Sequence, residues 1–141
     1  MIAYQMKIHI AEEGGYWAEF PDLGCATEGD TIEELRRMAR ELLSLYLEDA
    51  RDTKWKIPEA KTYKGKQYEW VTPDEDVAIP LMIRQARLKK NMGQRKLAKI
   101  LGISVQQLQR LETPGKSNPT VKTLAAISKA LNERLEIKLV A

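Results

Sequence analysis

The sequence predicts an α+β protein in which a small antiparallel sheet with one helix precedes an all-helical domain. Apolar residues alternate along the first strands, whereas from Pro80 to Asn132 they recur at helical spacing. Charge divides the chain in the same way. Residues 1–72 carry 10 basic and 14 acidic side chains, a net charge of −4, and residues 73–141 carry 13 and 6, a net charge of +7. We therefore expect two domains, 1–72 and 73–141, each suited to a different partner.

The N-terminal pattern predicts a β-hairpin followed by a third strand. Apolar residues at every second position of Tyr4–Ile10 indicate a strand with one buried face. Gly14 and Gly15 suit a tight turn, since glycine accepts positive φ. Tyr16–Phe20 forms the second strand of this prediction, and residues 25–27 form a short third one.

One helix and one returning strand complete the first domain. Thr31 can cap a helix and Glu34 stands three positions later, as in a capping box, so we expect a helix from residue 32 to about 49. Residues 51–73 are rich in lysine and predict a loop, a strand over 67–71 that returns to the sheet, and a hinge at 72–75.

The second domain is predicted to contain four helices, at 80–91, 94–101, 104–112 and 120–131. Pro80 suits the first turn of a helix, or kinks one that begins nearer Asp76. Alternating residues 135–140 predict a final strand, which finds no other strand in its own domain and is therefore our candidate dimer element. The apolar side chains proposed for that interface are Leu135, Ile137 and Leu139.

Composition excludes several classes of protein. No apolar run approaches the length that spans a bilayer, and the N-terminus lacks the pattern of a secretory signal, so we expect a cytoplasmic protein with no membrane partner. One cysteine and one histidine can form neither a disulfide framework nor a zinc site. We accordingly expect no metal and no cofactor.

Residues 94–112 have the spacing of a helix-turn-helix. Leu97, Ala98 and Leu101 form a buried stripe, Gly102 permits a left-handed turn, and Ser104 can cap the next helix. With Leu108 and Leu111 facing inward, the outward or flanking side chains of the second helix are Val105, Gln106, Gln107, Gln109 and Arg110.

These outward side chains suit the major groove of DNA. Glutamine can bond adenine, arginine can bond guanine, and valine can contact the thymine methyl group. Eight basic residues and no carboxylate lie between Arg84 and Arg110, which favours a polyanion. The alternative is a basic, solvated helical bundle without a nucleic-acid role.

The region 80–132 resembles the Cro/repressor helix-turn-helix family. The matching residues are Gln94, Leu97, Ala98, Gly102, Ser104, Leu108, Leu111, Glu112, Gly115, Lys116, Asn118 and Pro119. The resemblance implies that Gln94 contacts a phosphate, that Val105, Gln106 and Arg110 contact bases, and that the loop at Lys116 touches the DNA backbone. The full expected DNA-binding set adds Arg95, Ser104, Gln107 and Gln109.

The first half is similar to the HicB antitoxin family over residues 2–50. The similarity rests on the motifs EGGY at 13–16, FPDLGC at 20–25, TEGDT at 27–31 and EE at 33–34. It implies a partly truncated ribonuclease-H-like fold that binds and blocks a HicA-like RNA-cleaving toxin. The second domain would then repress the operon as a dimer, or a higher homo-oligomer, on palindromic double-stranded DNA.

The candidate toxin-binding residues are His9, Trp17, Glu19 and Asp22. Strand alternation places Lys7, His9, Trp17 and Glu19 on the sheet face opposite Ile8 and Phe20, with Asp22 in a loop at the edge. Trp17 could instead cover the far sheet face or meet the other domain, and His9 could be an ordinary half-exposed strand residue. An acidic surface would steer toward a basic toxin.

Two other functions are also compatible with the sequence. A ribonuclease-H-like sheet raises the possibility of a nuclease, which needs converging carboxylates. The candidate carboxylates are Glu19, Asp22 and Asp30. Each has a simpler structural explanation, so we expect that the protein is not an enzyme. A repressor that senses a small ligand is the second alternative, and a neighbouring gene for a small basic protein would favour the antitoxin.

Overall fold

The computed structural model describes residues 2–52 and 54–140, and it confirms the α+β class. In chain order the elements are β1 (Tyr4–Ile10), β2 (Tyr16–Phe20), β3 (Cys25–Gly29), α1 (Ile32–Leu47), β4 (Tyr68–Val71), α2 (Glu75–Lys89), α3 (Gln94–Leu101), α4 (Val105–Leu111) and α5 (Val121–Ala130). The chain forms two compact units, Met1–Ala78 and Ile79–Ala141. The limit between them falls within α2, later than the expected limit at 72/73.

The first unit is a four-stranded antiparallel sheet in the order β3-β2-β1-β4. Lys7 lies opposite Glu19 and His9 lies opposite Trp17, so these four side chains share one face, as predicted. The other face, which we call the core face, carries Met6, Ala18 and Phe20, all fully buried. Buried apolar residues of α1 cover it, namely Leu35, Ala39, Leu43 and Leu47.

Thr31 and Glu34 both make hydrogen bonds at the start of α1, as the sequence predicts, but one of the two bonds differs from that of a capping box. The Glu34 backbone N–H donates to the Thr31 hydroxyl at 3.1 Å. The Glu34 carboxylate accepts from the backbone N–H of Asp30, also at 3.1 Å, and not from that of Thr31. Both side chains therefore satisfy donors at the start of the chain's first helix.

Residues 54–67 precede β4 and contact the sheet through a few hydrogen bonds and one pair of stacked rings. We call this segment the strap. The Tyr4 hydroxyl donates to the Pro58 carbonyl oxygen, and the Gln5 side chain bonds both backbone groups of Tyr63. The Tyr63 ring stacks on Tyr68 with centroids 5.1 Å apart. Because Tyr68 lies opposite Lys7, the strap covers part of the face opposite the core face.

A polar cluster fixes the start of α2 within the first unit. Arg40 Nε lies 2.7 Å from Asp74 Oδ1, and another guanidinium nitrogen lies 2.9 Å from Glu75 Oε1. The Asp74 N–H donates to the Ser44 hydroxyl at 2.9 Å. The helix therefore begins before Pro80, which lies inside it, and the second of the two sequence alternatives is correct.

Helices α2 to α5 enclose the core of the second unit, built from Ile83, Leu97, Ala98, Leu108, Ile127 and Leu131. The predicted C-terminal strand over 135–140 is wrong for the single chain, because residues 133–140 belong to no helix or strand. A strand needs a neighbour for its backbone hydrogen bonds, and the described residues of this unit contain no other strand. Across the described residues, no helix has the length and apolar character that crossing a membrane requires.

Candidate nucleic-acid and protein interfaces

Helices α3 and α4 meet at the turn that the sequence predicts. Gly102 ends α3 in the left-handed conformation, with φ of 68°. Ser104 then begins α4 with a full capping box: its hydroxyl accepts from the Gln107 N–H at 3.1 Å, and the Gln107 side chain accepts from the Ser104 N–H at 2.8 Å. Leu97, Ala98 and Leu108 are buried between the helices. These features form a helix-turn-helix.

The outward face of α4 carries the side chains expected to contact DNA. Gln106 and Arg110 are exposed, and Val105 is half-buried at the edge of the core. Gln107 is also exposed, but its carbonyl oxygen is engaged in the capping box, so its side chain supports the helix start. Gln106 and Arg110 are therefore the polar groups of α4 best placed for base contacts.

A buried ion pair supports this motif. The Arg87 guanidinium makes a two-point contact with the Glu112 carboxylate, at 2.7 and 2.8 Å, and donates to the Met92 carbonyl oxygen at 2.8 Å. Both side chains are almost fully buried. The pair ties α2 to the residue that ends α4 and to the residues before α3.

Gln94 extends this ion pair toward the surface. Its amide nitrogen donates to Glu112 Oε1 at 3.3 Å, and its amide oxygen accepts from Gln109 at 3.3 Å. Because the carboxylate can only accept, the Gln94 amide has a defined orientation that leaves one N–H for a phosphate. Sequence reasoning placed Gln94 and Gln109 in the site but missed that Glu112 orders them. Two signals pointed to Glu112: it is the first acidic residue after the carboxylate-free stretch, and it is among the residues that match the helix-turn-helix family.

The eight basic residues from Arg84 to Arg110 differ in burial. Arg84 and Arg87 are buried, and Arg84 donates to the Glu112 carbonyl oxygen at 2.8 Å. Burial lowers the pKa of the Arg84 guanidinium, and the Glu112 carboxylate opposes that shift. The exposed basic side chains of this stretch are Lys89, Lys90, Arg95, Lys96, Lys99 and Arg110.

The loop between α4 and α5 holds Lys116 at the surface. The Thr113 hydroxyl donates to the Gln109 carbonyl oxygen at 2.6 Å, and the Lys116 N–H donates to the Thr113 carbonyl oxygen at 3.1 Å. Pro114, also in this loop, is buried. Lys116 is therefore exposed on a loop with a defined start, next to the end of α4.

Apolar side chains of the C-terminal segment are exposed in the single chain. Ile137 is 59% exposed and Leu139 is fully exposed, whereas Leu135 is half-buried. Two of the three residues expected at a dimer interface thus lack cover in one chain.

The predicted toxin-binding residues of the first unit divide into two groups. His9, Trp17 and Glu19 lie together: the His9 and Trp17 rings stack with centroids 3.9 Å apart, and His9 Nε2 lies 3.3 Å from Glu19 Oε1. Asp22 instead anchors the strap, accepting from the Tyr63 hydroxyl at 2.6 Å and from the Lys61 N–H at 2.9 Å. The hydrogen bond from the Tyr63 hydroxyl to the Asp22 carboxylate raises the pKa of the Tyr63 phenol.

The carboxylates considered for a nuclease do not converge. Glu19 contacts His9 and Asp22 holds the strap, while the backbone of Asp30 bonds to Glu34. Within residues 2–52 and 54–140, no group of three or more histidine, cysteine, aspartate or glutamate side chains could hold a metal ion.

Comparison with known protein families gives a match for each of the two units. A family model described as helix-turn-helix matches residues 83–137, so the second unit is a helix-turn-helix domain. A second model, described as HicB_like antitoxin of bacterial toxin-antitoxin system, matches residues 4–95.

Two curated relatives extend over nearly the whole chain. Antitoxin HicB 1 of Photorhabdus laumondii subsp. laumondii is 29% identical over 137 residues, covering 96% of this chain and 86% of the relative. Antitoxin HicB 2 of the same organism is 31% identical over 131 residues, covering 89% and 88%. This chain belongs to the HicB-like antitoxin family of bacterial toxin–antitoxin systems.

Proposed function

We propose that this antitoxin neutralises a HicA-like RNA-cleaving toxin through its first unit and represses its own operon through its second. Family membership supports the pairing of these two activities. The observation that carries the DNA-binding half is the outward face of α4, where Gln106 and Arg110 are exposed on a helix supported by a buried ion pair.

The proposed DNA complex places α4 in the major groove. Arg110 bonds guanine, Gln106 bonds adenine, and Val105 contacts a thymine methyl group. Gln94 donates to a phosphate at the start of α3, while Arg95, Ser104, Gln109 and Lys116 contact the backbone around it. Gln107 contributes by holding the start of α4 in the capping box.

The proposed DNA-binding species is a homodimer. One helix-turn-helix contacts too few bases for useful specificity, and two half-sites about one helical turn apart supply the rest. The exposed Ile137 and Leu139 suit an interface in which residues 135–140 of two chains pair as strands, with Leu135 at its edge. Pairing would satisfy the backbone groups that the single chain leaves without a neighbouring strand.

The proposed toxin surface is the part of the sheet face that carries His9, Trp17 and Glu19. The first unit is acidic outside the strap, which would attract a basic toxin. Asp22 acts in this proposal by holding the strap in place, since the Tyr63 hydroxyl and the Lys61 N–H occupy its carboxylate. The protein itself performs no catalysis, and the toxin is blocked by occlusion.

Co-expression with the adjacent gene tests the proposal. The full chain should restore growth to cells that express the neighbouring small protein, and the two should purify as a stable complex. The purified chain should also bind the DNA upstream of the gene pair more tightly than a shuffled sequence of equal length. DNA binding without growth rescue or complex formation would instead indicate a ligand-sensing repressor. Metal-dependent RNA cleavage lost in Asp22→Ala would indicate a nuclease.

A further inference from the structure

The exposed part of the first unit's non-core sheet face centres on Trp17. The His9 ring lies parallel to the Trp17 indole, with an interplanar angle of 11°, and covers one side of it. Trp17 nevertheless remains 37% exposed. A large aromatic side chain that is held in place yet open to solvent suits contact with a partner.

Two carboxylates flank this tryptophan. Glu28 lies directly opposite Trp17 on β3, and Glu19 is two residues further along β2, on the same face. Glu28 is exposed, and among the described residues it takes part in no ion pair. Among the strand residues of this face, the lysine and imidazole side chains are Lys7 and His9, and both lie on β1. The approach from the β3 edge is therefore acidic.

The charge of the surrounding chain reinforces this local pattern. Residues 1–52 contain 5 basic and 12 acidic side chains. Three of the basic ones already have carboxylate partners: Arg36 with Glu69, Arg40 with Asp74 and Glu75, and Arg51 with Glu48. This net negative charge belongs to residues 1–52 as a whole, α1 on the opposite face included, and it favours the approach of a cation.

We propose that Trp17, Glu19 and Glu28 form a receptor for a single arginine or lysine side chain presented by the toxin. The cation lies against the free side of the indole, and the two carboxylates accept its hydrogen bonds. This inference rests on the proposed function, since it names the chemical group through which the first unit would hold its basic protein partner.

Binding of the purified toxin from the adjacent gene to the full-length antitoxin tests the receptor. Trp17→Leu removes the π surface but keeps an apolar side chain, and Glu28→Lys reverses the charge beside it. Each change should weaken toxin binding at least tenfold, and Trp17→Phe should recover part of the loss because phenylalanine retains an aromatic face. Affinity can be measured by calorimetry or by biolayer interferometry.

Glu41→Lys provides the matched control, since it makes the same charge change at an exposed position of α1, which covers the opposite face. It should alter toxin affinity less than twofold, and all four variants should retain wild-type binding to upstream DNA. Wild-type toxin affinity in Trp17→Leu and Glu28→Lys would overturn the receptor while leaving the antitoxin proposal standing. A loss in Trp17→Leu alone would show that the partner docks on the indole without help from the Glu28 charge, and would also overturn it. A wild-type chain that does not bind the toxin would overturn both proposals.

Discussion

At the scale of single residues, the proposed DNA complex gives Arg110 a contact with a base in addition to the attraction between its charge and DNA. It is exposed on α4, whereas Arg84 and Arg87, from the same basic stretch, are buried in the support of the motif. Arg110→Ala should cost about 1–3 kcal/mol in operator binding and relax the preference at one base position.

Arg37→Ala is the control for that measurement, because it removes the same charge from an exposed position of α1. Fluorescence anisotropy on the operator and on singly substituted operators measures both affinity and preference. Equal losses for the two variants would mean that Arg110 contributes only charge.

The buried pair of Arg87 and Glu112 gives a second prediction at this scale. Glu112→Gln should lower the free energy of unfolding of the second unit by about 3–5 kcal/mol, since it leaves the Arg87 charge buried without its partner. Chemical denaturation followed by circular dichroism measures the change. The double variant Arg87→Met with Glu112→Leu should lose less than Glu112→Gln alone, and an equal or larger loss would contradict this account.

Tyr4 gives a prediction for alkaline pH. Burial raises its pKa to about 12, so the folded state favours the neutral phenol. Its contribution to stability is complete below the unfolded pKa near 10 and is lost as pH rises toward 12. The free energy of unfolding should therefore fall more steeply over this interval in the wild type than in Tyr4→Phe. Parallel curves for the two proteins would show that the phenol does not titrate with unfolding.

At the scale of elements, β3 and α1 lie very close together at Gly29. A Cβ atom added to Gly29 would lie 2.6 Å from the Leu35 backbone nitrogen and 3.0 Å from the Leu35 Cα. Gly29→Ala should therefore destabilise the first unit by about 1–3 kcal/mol, because backbone atoms must shift to admit the methyl group.

Gly93→Ala is the comparison, since a Cβ there meets nothing within 4 Å. Thermal unfolding of the two variants measures the difference. A transition temperature for Gly29→Ala equal to that of Gly93→Ala would mean that the strand and helix separate at little cost.

The regular elements were predictable because their signals are local. The alternation in β1, the cap at Thr31 and the glycine at 102 each act within a few residues, and each element lies where those signals place it. The anchors of the strap could not be predicted, since Gln5 and Tyr63 are far apart in the sequence and form no periodic pattern. The same holds for Arg87 and Glu112, whose pairing depends on how the helices meet.

At the scale of the whole molecule, the proposed dimer links oligomeric state to DNA binding through the C-terminal segment. Deleting residues 135–141 should leave a folded monomer that binds the operator weakly, because the exposed Ile137 and Leu139 would no longer be available to a second chain. Light scattering and anisotropy on the same samples measure mass and affinity. A dimer with full affinity would place the interface elsewhere in the chain.

Helix α2 restricts the positions at which such a protein can be cut into fragments or joined to a domain of a relative. The limit between the units lies between Ala78 and Ile79, inside the helix, with Val77 buried on one side of the limit and Ile83 on the other. A cut at this limit would split a helix and expose apolar surface on both fragments. An exchange of DNA-binding domains between relatives would therefore preserve both cores only if α2 were inherited whole.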